Sequence, residues 1–238
     1  MAFRALIFDF DGLILDTETP EVEVWTTIFA EHGHEYPIEH WSQIIGGWGS
    51  TDFDPAETLQ NLTAVPLDLE ALRKRHRLES DALIVRATVM DGVREVLAAA
   101  QRLELRCVIA SSSERAWVEP HLRRLGMLAE FEKIITGDDV RKGRTKPYPD
   151  VFLRALAELQ LGAREALVLE DSPNGITAAH AAGLRVVGVP NPVTAPLKME
   201  ADLVLISLAE LPLEVMLKRL DDFPGGHGVA LALPDAAS

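Results

Sequence analysis

Cysteine is nearly missing from this chain of 238 residues, since Cys107 is the only one and lies inside an apolar run. No disulfide can therefore form within the chain, and a reducing cytoplasm is the expected compartment. Long apolar runs are missing as well, so we expect no membrane-spanning segment. Asp9 interrupts the first apolar stretch too early for a signal peptide, and none is expected.

Positive charge is also scarce: 23 Lys and Arg stand against 37 Asp and Glu, and the formal net charge is −14. Such a balance argues against nucleic acid and anionic membranes as general partners. It still allows a small anionic substrate bound in a local cationic site. Apolar residues make up 47% of the chain, which is enough for a substantial core and disfavours wholesale disorder.

Short apolar runs of about strand length alternate with helical patterns along most of the chain. The runs are Ala5–Phe8, Arg106–Ala110, Lys133–Thr136, Ala166–Leu169, Arg185–Val189 and Asp202–Ile206. Helical periodicity lies between them, near residues 91–103, 114–125, 149–160 and 173–182. Strands alternating with helices predict an α/β fold with a doubly wound parallel sheet of the Rossmann-like type.

One region breaks this alternation, because residues 17–88 contain helical patterns and no convincing strand. We expect these residues to form an all-helical domain inserted into the core domain, which would comprise residues 1–16 and 89–221. Residues 222–238 are rich in glycine, alanine and proline, and we expect a flexible C-terminal tail there.

Polar side chains follow the predicted strands where each strand ends. They are Asp9, Asp11, Ser111, Ser112, Glu170 and Asp171, with Lys146 in the loop after the third strand. Because the carboxyl ends of parallel strands lie at one edge of the sheet, a single crevice is expected to collect them. Asp9 and Asp11 are two residues apart on extended chain, so their side chains project to the same side.

Converging carboxylates require a compensating cation. Two carboxylates about 4 Å apart repel by roughly 4 kcal/mol at an effective dielectric constant of 20. Ligand sets made of oxygen alone favour hard ions, and Mg²⁺ that keeps several waters is the natural choice. Magnesium in turn favours phosphate oxygens, to which Ser111 can donate and which Lys146 can neutralise.

This constellation resembles the haloacid dehalogenase superfamily of phosphatases and phosphomutases. The segment Asp9–Glu18 is similar to the family's first motif, while Ser111, Lys146 and Glu170-Asp171 match the second, third and fourth motifs. The four motifs keep the family's order across roughly residues 1–220, and the helical insert resembles its cap domain. Within the family, the chain is most similar to the β-phosphoglucomutase-like branch, which includes many small phosphatases.

The resemblance implies a role for each matching residue. Asp9 would attack phosphorus and become an aspartyl-phosphate, while Asp11 would protonate the leaving oxygen and then activate water. The resemblance also implies that Ser111, with Ser112 beside it, and Lys146 hold the phosphoryl group. The implied Mg²⁺ ligands are the carboxylates of Asp9 and Asp171 and the backbone carbonyl of Asp11, with Glu170 as a direct or indirect ligand.

Simpler interpretations of the same residues remain open. Asp-x-Asp can be a solvated turn, Glu170–Pro173 can be only a helix start, and Ser112 or Ser113 can cap the following helix. His32, His34 and His40 match no common metal-site spacing, so we expect them to be exposed cap histidines. Candidate substrate contacts in the insert are Glu18 and, in the glycine-rich segment Gly46–Thr51, Trp48, although a plain turn explains that segment equally well.

The predicted function is that of a cytoplasmic, monomeric, Mg²⁺-dependent phosphatase acting on a sugar phosphate or, second, a nucleoside monophosphate. The main alternative is a β-phosphoglucomutase-type mutase. Mutases of this branch usually carry a histidine where this chain has Glu21 and a basic residue in the first cap loop, which Gly46–Thr51 lacks. Dehalogenases are disfavoured because those relatives lack the second aspartate, and a sensor or binding protein on the same fold is the non-enzymatic alternative.

Overall fold

The structure is a computed structural model that describes residues 3–41, 45 and 53–222, apart from the side chains of residues 40 and 41. Its centre is a sheet of parallel strands in the spatial order β3-β2-β1-β4-β5-β6. The strands are β1 (Ala5–Phe8), β2 (Arg106–Ala110), β3 (Lys133–Ile135), β4 (Ala166–Glu170), β5 (Arg185–Gly188) and β6 (Leu203–Val204). The predicted parallel sheet is therefore confirmed, with β6 shorter than its apolar run.

The first strand lies in the middle of the sheet and pairs with β2 on one side and β4 on the other. All four of its residues are completely buried, as an apolar run covered on both faces requires. The chain runs from β1 to β2 on one side and from the adjacent β4 to β5 on the other side, so the carboxyl ends of β1 and β4 form a topological switch point. Ligands of open α/β sheets bind at such points.

Helices cover both faces of the sheet. After the insert come α5 (Val93–Arg102), α6 (Arg115–Arg124), α7 (Asp150–Leu159), α8 (Pro173–Ala181) and α9 (Leu213–Asp222). Helices α5, α6 and α9 share one buried apolar cluster with Leu6 and Phe8 of β1, whereas α7 and α8 share the other with Ala5 and Ile7. These two clusters confirm a doubly wound, Rossmann-like α/β core.

The described residues between β1 and α5 form helices and no named strand. The helices are α1 (Glu18–Glu31), α2 (Ile38–Trp41), α3 (Pro55–Leu62) and α4 (Leu69–Ile84). Helices α1 and α4 pack together and share a third apolar cluster that includes Trp25 and Phe29. Arg75 of α4 also bonds to both carboxylate oxygens of Glu31, and Arg73 bonds to Asp54 ahead of α3.

The chain leaves and re-enters the sheet through two segments that contact each other. Leu15 forms an antiparallel bridge with Val89, and the Met90 amide donates to the Ile14 carbonyl over 2.9 Å. These contacts lie next to the predicted boundaries between the core domain and the inserted helical domain. The division into core and cap, with boundaries at residues 17 and 88, stays a prediction.

At the other end of the chain, Asp222 is the last residue of α9 rather than the first residue of a tail. The remaining residues of the predicted tail, 223–238, lie outside the described residues. Among the described residues, no helix is both long enough and apolar enough to cross a membrane.

Candidate active site

The carboxyl ends of β1, β2 and β4 place the predicted site residues side by side. Asp9 follows β1 directly and is tied to the neighbouring strand, because its amide donates to the Leu169 carbonyl over 3.0 Å. Glu170 ends β4, and Asp171 follows it. One oxygen each of Asp9, Glu170 and Asp171 lies within 4.8 Å of the others, and all three residues are buried.

Lys146 reaches this group of acids from the loop between β3 and α7. Its Nζ lies 2.5 Å from Asp9 Oδ1 and 2.6 Å from Glu170 Oε1, and its side chain is only 1% exposed. Burial alone would lower the pKa of Lys146, but the charges of Asp9 and Glu170 outweigh burial and raise it. Lys146 therefore stays protonated and offsets part of the acidic charge.

One buried cation cannot neutralise three buried acids. Burial raises the pKa of Asp9 to about 8 against the opposing charge of Lys146, and the charges of Glu170 and Asp11 raise it further. Burial and the charges of Glu170 and Asp9 also raise the pKa of Asp171 well above its usual range. At 4.8 Å two ionised carboxylates repel by about 3.5 kcal/mol at an effective dielectric constant of 20.

Asp171 offers the clearest ligand atom for a cation. Its Oδ2 accepts a hydrogen bond from Asn191 Nδ2 over 2.7 Å, whereas its Oδ1 is buried and has no hydrogen-bond partner. Buried carboxylate oxygens are normally paired or bound to a metal. A hard divalent cation fits this oxygen and the surplus of negative charge.

Glu170 differs from Asp171 because the protein engages both of its oxygens. Oε1 accepts from Lys146, and Oε2 accepts from the Ser172 amide over 2.8 Å and from Ser172 Oγ over 2.9 Å. Ser172 Oγ also accepts from the Gly175 amide at the start of α8, so the helix-start interpretation of this segment is correct for Ser172. Glu170 is thus fixed where it holds Lys146.

Two glycines make room for these acids. A Cβ on Gly175 would lie 1.7 Å from Glu170 Oε1, and a Cβ on Gly12 would lie 2.1 Å from Asp171 Oδ2. Gly12 also has φ +73°, which favours glycine. The sequence analysis gave no role to Gly175, although a glycine inside a helical pattern often has a packing reason.

Asp11 lies beside the acids but is held by a different set of residues. Trp117 Nε1 donates to its Oδ1 over 2.7 Å, and Ser113 Oγ donates to its Oδ2 over 2.6 Å. Ser111 Oγ is 3.3 Å from the same Oδ2 and accepts from the Ser113 amide over 3.0 Å. Ser111 is therefore brought to the site as predicted, with its hydroxyl directed at Asp11.

The sequence missed the roles of Ser113 and Trp117. The prediction that Ser112 or Ser113 caps α6 is wrong, because Glu114 is the residue ahead of the helix and the first helical amide, that of Arg115, donates to Asp138 Oδ2 over 2.9 Å. Periodicity placed Trp117 among inward-facing core residues, and it does pack partly against the core. The direction of its indole N–H has no signature in the sequence.

The helical region adds acidic charge near the site. Burial, followed by the charges of Asp11 and Asp81, raises the pKa of Glu21 to about 7. The charge of Glu18, a predicted substrate contact, contributes to the raised pKa of Asp171. Tyr36 has a buried hydroxyl without a hydrogen-bond partner, and burial and the charges of Glu21 and Glu18 raise its pKa.

The other candidates in the helical region fall into two groups, those outside the described residues and two described histidines. Trp48 and the segment Gly46–Thr51 lie outside the described residues, as does the side chain of His40. The Nδ1 atom of His32 lies 2.8 Å from the Ile28 carbonyl, within its own helix. Neither His32 nor His34 joins the group of potential metal ligands found among the described residues.

Comparison with known proteins gives consistent results. A family model described as haloacid dehalogenase-like hydrolase matches residues 6–189. The chain is 42% identical over 219 residues to "Putative phosphatase YhcW" of Bacillus subtilis (strain 168), covering 92% of this chain and 98% of that protein. It is 30% identical over 191 residues to fructose-1-phosphate phosphatase YqaB of Escherichia coli (strain K12), covering 79% and 96%.

A solved structure of CbbY from Rhodobacter sphaeroides in complex with phosphate is also similar. It superposes with a TM-score of 0.66 at 28% identity, covering 88% of this chain and 96% of that one. The chain therefore belongs to the haloacid dehalogenase-like hydrolase family. The predicted family and enzyme class, a phosphoric monoester hydrolase, are confirmed.

Proposed function

Proceeding from that family membership, we propose that this enzyme is a Mg²⁺-dependent phosphatase that forms an aspartyl-phosphate on Asp9. The observation that carries the proposal is the buried contact of Lys146 with Asp9 and Glu170, beside the unpartnered oxygen of Asp171. Acids with raised pKa values that cluster at a switch point of the sheet are typical of functional sites.

Asp9 is the proposed nucleophile. One of its carboxylate oxygens forms a bond to phosphorus while the bond from phosphorus to the substrate's ester oxygen breaks. Lys146 orients Asp9 and offsets charge on the phosphoryl oxygens as they approach. Ser111, with Ser112 beside it, supplies further donors to the phosphoryl group.

Asp11 is the proposed acid and base. It gives a proton to the departing ester oxygen in the first step and takes a proton from the attacking water in the second. Water then breaks the bond between Asp9 and phosphorus and releases inorganic phosphate. Proton transfer of this kind contributes about 10²–10⁴-fold, so positioning and charge compensation must supply most of the acceleration.

The proposed metal ligands are the carboxylates of Asp9 and Asp171 and the backbone carbonyl of Asp11. Glu170 acts mainly through Lys146 and Ser172, because both of its oxygens already accept hydrogen bonds from the protein. Bound Mg²⁺ supplies positive charge that offsets the acids and the phosphoryl oxygens.

The proposed substrate is a small metabolite with a single phosphate, a sugar phosphate first and a nucleoside monophosphate second. The related fructose-1-phosphate phosphatase supports the sugar. Glu21 lies near Asp11 and Asp81, and Glu18 lies near Asp171; this concentration of acids disfavours the second phosphate that a mutase must hold. Residues 17–88 would act as a cap that closes over the core, and the proposed enzyme is a cytoplasmic monomer.

The first experiment measures phosphate release from glucose 1-phosphate, glucose 6-phosphate, fructose 1-phosphate and nucleoside monophosphates, with Mg²⁺ and with EDTA. Wild type is compared with Asp9→Asn and with Asp91→Asn, an exposed acid of the core domain that serves as the matched control. We expect hydrolysis that requires Mg²⁺, is lost in Asp9→Asn and is kept in Asp91→Asn. Glucose 6-phosphate formed from glucose 1-phosphate without phosphate release would instead establish a mutase.

A folded phosphoprotein is included in the same panel. Turnover equal to that of the sugar phosphates would contradict a closing cap that limits access. Binding of these compounds without turnover of any of them would favour the sensor or binding protein.

A further inference from the structure

Both oxygens of the Asp11 carboxylate are occupied by donors from the region around the start of α6. Trp117 holds Oδ1 over 2.7 Å and Ser113 holds Oδ2 over 2.6 Å. Both distances are within the range of strong hydrogen bonds to a charged acceptor. The conformation of the Asp11 side chain is therefore set by residues that are more than 100 positions away in the chain.

The indole of Trp117 is itself fixed by packing. Its ring contacts the ring of His121, one turn further along α6, with centroids 4.4 Å apart. His121 in turn faces Phe10, whose neighbour in sequence is Asp11, with centroids 6.4 Å apart. An indole N–H can only donate, so this rigid ring presents a donor at one fixed point beside Asp11.

Asp9 and Asp11 thus have separate supports. Lys146 holds Asp9 from the β3–α7 loop, whereas Trp117 holds Asp11 from α6 and Ser113 holds it from the segment between β2 and α6. In the proposed mechanism Asp9 and Asp11 act on different atoms of the same substrate, so their carboxyl groups must keep a fixed distance and orientation. Small displacements of such groups lower the reaction rate considerably. No motif of the family resemblance covers Trp117.

We infer that Trp117 is a positioning residue for Asp11, with its indole N–H directing the carboxyl toward the ester oxygen that must receive a proton. The inference rests on the proposed function, in which Asp11 supplies that proton. Loss of the indole N–H should then slow only reactions whose leaving oxygen needs a proton. Substrates that release a stabilised phenolate should be nearly unaffected.

The test compares kcat/KM of wild type and Trp117→Phe, which keeps an aromatic ring against His121 and removes the N–H. The two substrates are the best hexose phosphate of the panel above and p-nitrophenyl phosphate, whose phenolate leaves without a proton. We expect about a 10-fold loss for the hexose phosphate, below the 10²–10⁴-fold of general acid catalysis as a whole. For p-nitrophenyl phosphate we expect kcat/KM to change by less than about 2-fold. This parameter covers only the steps up to transfer of the phosphoryl group to Asp9, and the phenolate leaves in that step without a proton.

Two further variants separate positioning from damage to the fold. Ser113→Ala removes the second donor and should show the same dependence on the leaving group, even if Trp117→Phe does not fold. Trp25→Phe removes an indole from α1, where Trp25 stacks on His76 with centroids 4.5 Å apart, and should change both substrates equally. Equal losses for both substrates in Trp117→Phe and Ser113→Ala would overturn the inference.

A spectroscopic measurement makes the test independent of turnover. The indole ¹H–¹⁵N signals of the four tryptophans are assigned by single Trp→Phe replacements and compared with those of Asp11→Ala. The Trp117 signal should move upfield when its acceptor is removed, while the Trp25 signal stays in place. An unmoved Trp117 signal would overturn the inference, whereas a wild type that hydrolyses nothing would overturn only the proposed function.

Discussion

Asp171→Asn should stabilise the metal-free protein while abolishing its response to magnesium. The side chain is 1% exposed, its Oδ2 accepts from Asn191, and its Oδ1 has no partner. Asparagine has the same shape and can keep its carbonyl oxygen toward Asn191. The replacement therefore removes a buried negative charge without creating a cavity.

The magnitude follows from the distances at the site. Asp171 loses repulsion from Asp9 and from Glu170, about 3.5 kcal/mol for each ionised pair within 4.8 Å at an effective dielectric constant of 20. It also loses a repulsion from Glu18 and a smaller attraction to Lys146. The wild-type acids relieve much of the repulsion by retaining a proton, so only part of the sum is gained. We expect a gain of about 1–3 kcal/mol, or roughly 3–10 °C in Tm.

The sign of the pH dependence is fixed by the raised pKa values. An acid with a raised pKa holds its proton more tightly in the folded state, so folding is favoured at acidic pH. The corresponding stability is lost as pH rises from the unfolded value of about 4 through the folded pKa. The advantage of Asp171→Asn over wild type should therefore be larger at pH 8 than at pH 5.

The assay is thermal unfolding in EDTA and in excess MgCl₂ at both pH values. Wild type should gain stability with Mg²⁺, because a ligand that binds only the folded state stabilises it. Asp171→Asn should start higher in EDTA and respond little, and the exposed control Asp91→Asn should behave as wild type. A lower Tm of Asp171→Asn in EDTA, or an unchanged magnesium response, would refute the reasoning.

Two other replacements test the surroundings of the site. Gly175→Ala should destabilise the protein by about 2 kcal/mol or more and weaken the magnesium response, because the new Cβ would overlap Glu170. The matched control is Gly162→Ala, in which the atom nearest to the new Cβ would be 3.5 Å away. Thermal unfolding should show almost no change for this control. Glu21→Gln should raise Tm at pH 8 but not at pH 4, because the pKa of Glu21 is raised to about 7, and exposed Glu23→Gln is its matched control. An equal effect of Glu21→Gln at both pH values would contradict the assigned burial.

The sheet and its acids could be predicted because both depend on local sequence. Each buried strand is a short apolar run, and a polar residue at its end marks the edge where ligands bind. The same rule would have identified Asn191, which follows β5 and donates to Asp171. The rule was applied to acids, serines and a lysine, so this amide was missed.

The donors to Asp11 could not be predicted in the same way. Helical periodicity predicts that Trp117 lies on the inward face of its helix, and Trp117 does pack partly against the core. It does not give the rotation of the indole, which depends on contact with His121 and on how α6 leaves β2. Serine is likewise a residue type typical of helix caps, and only the tertiary structure shows that the Ser113 hydroxyl donates to Asp11 instead.

The buried acids of the site destabilise the folded state locally, and burial of the apolar core offsets this destabilisation. Lys146 is the sole cation within hydrogen-bonding distance of the acids Asp9 and Glu170 among the described residues, and it is almost completely buried. A charge set this unbalanced persists only because neighbouring groups prevent its relaxation: Ser172 and Gly175 fix Glu170, and Asn191 fixes one side of Asp171. In the proposed mechanism, the unpaired side of Asp171 is the point where a bound cation would contribute both to stability and to catalysis. Stability and phosphatase activity should therefore respond to magnesium together.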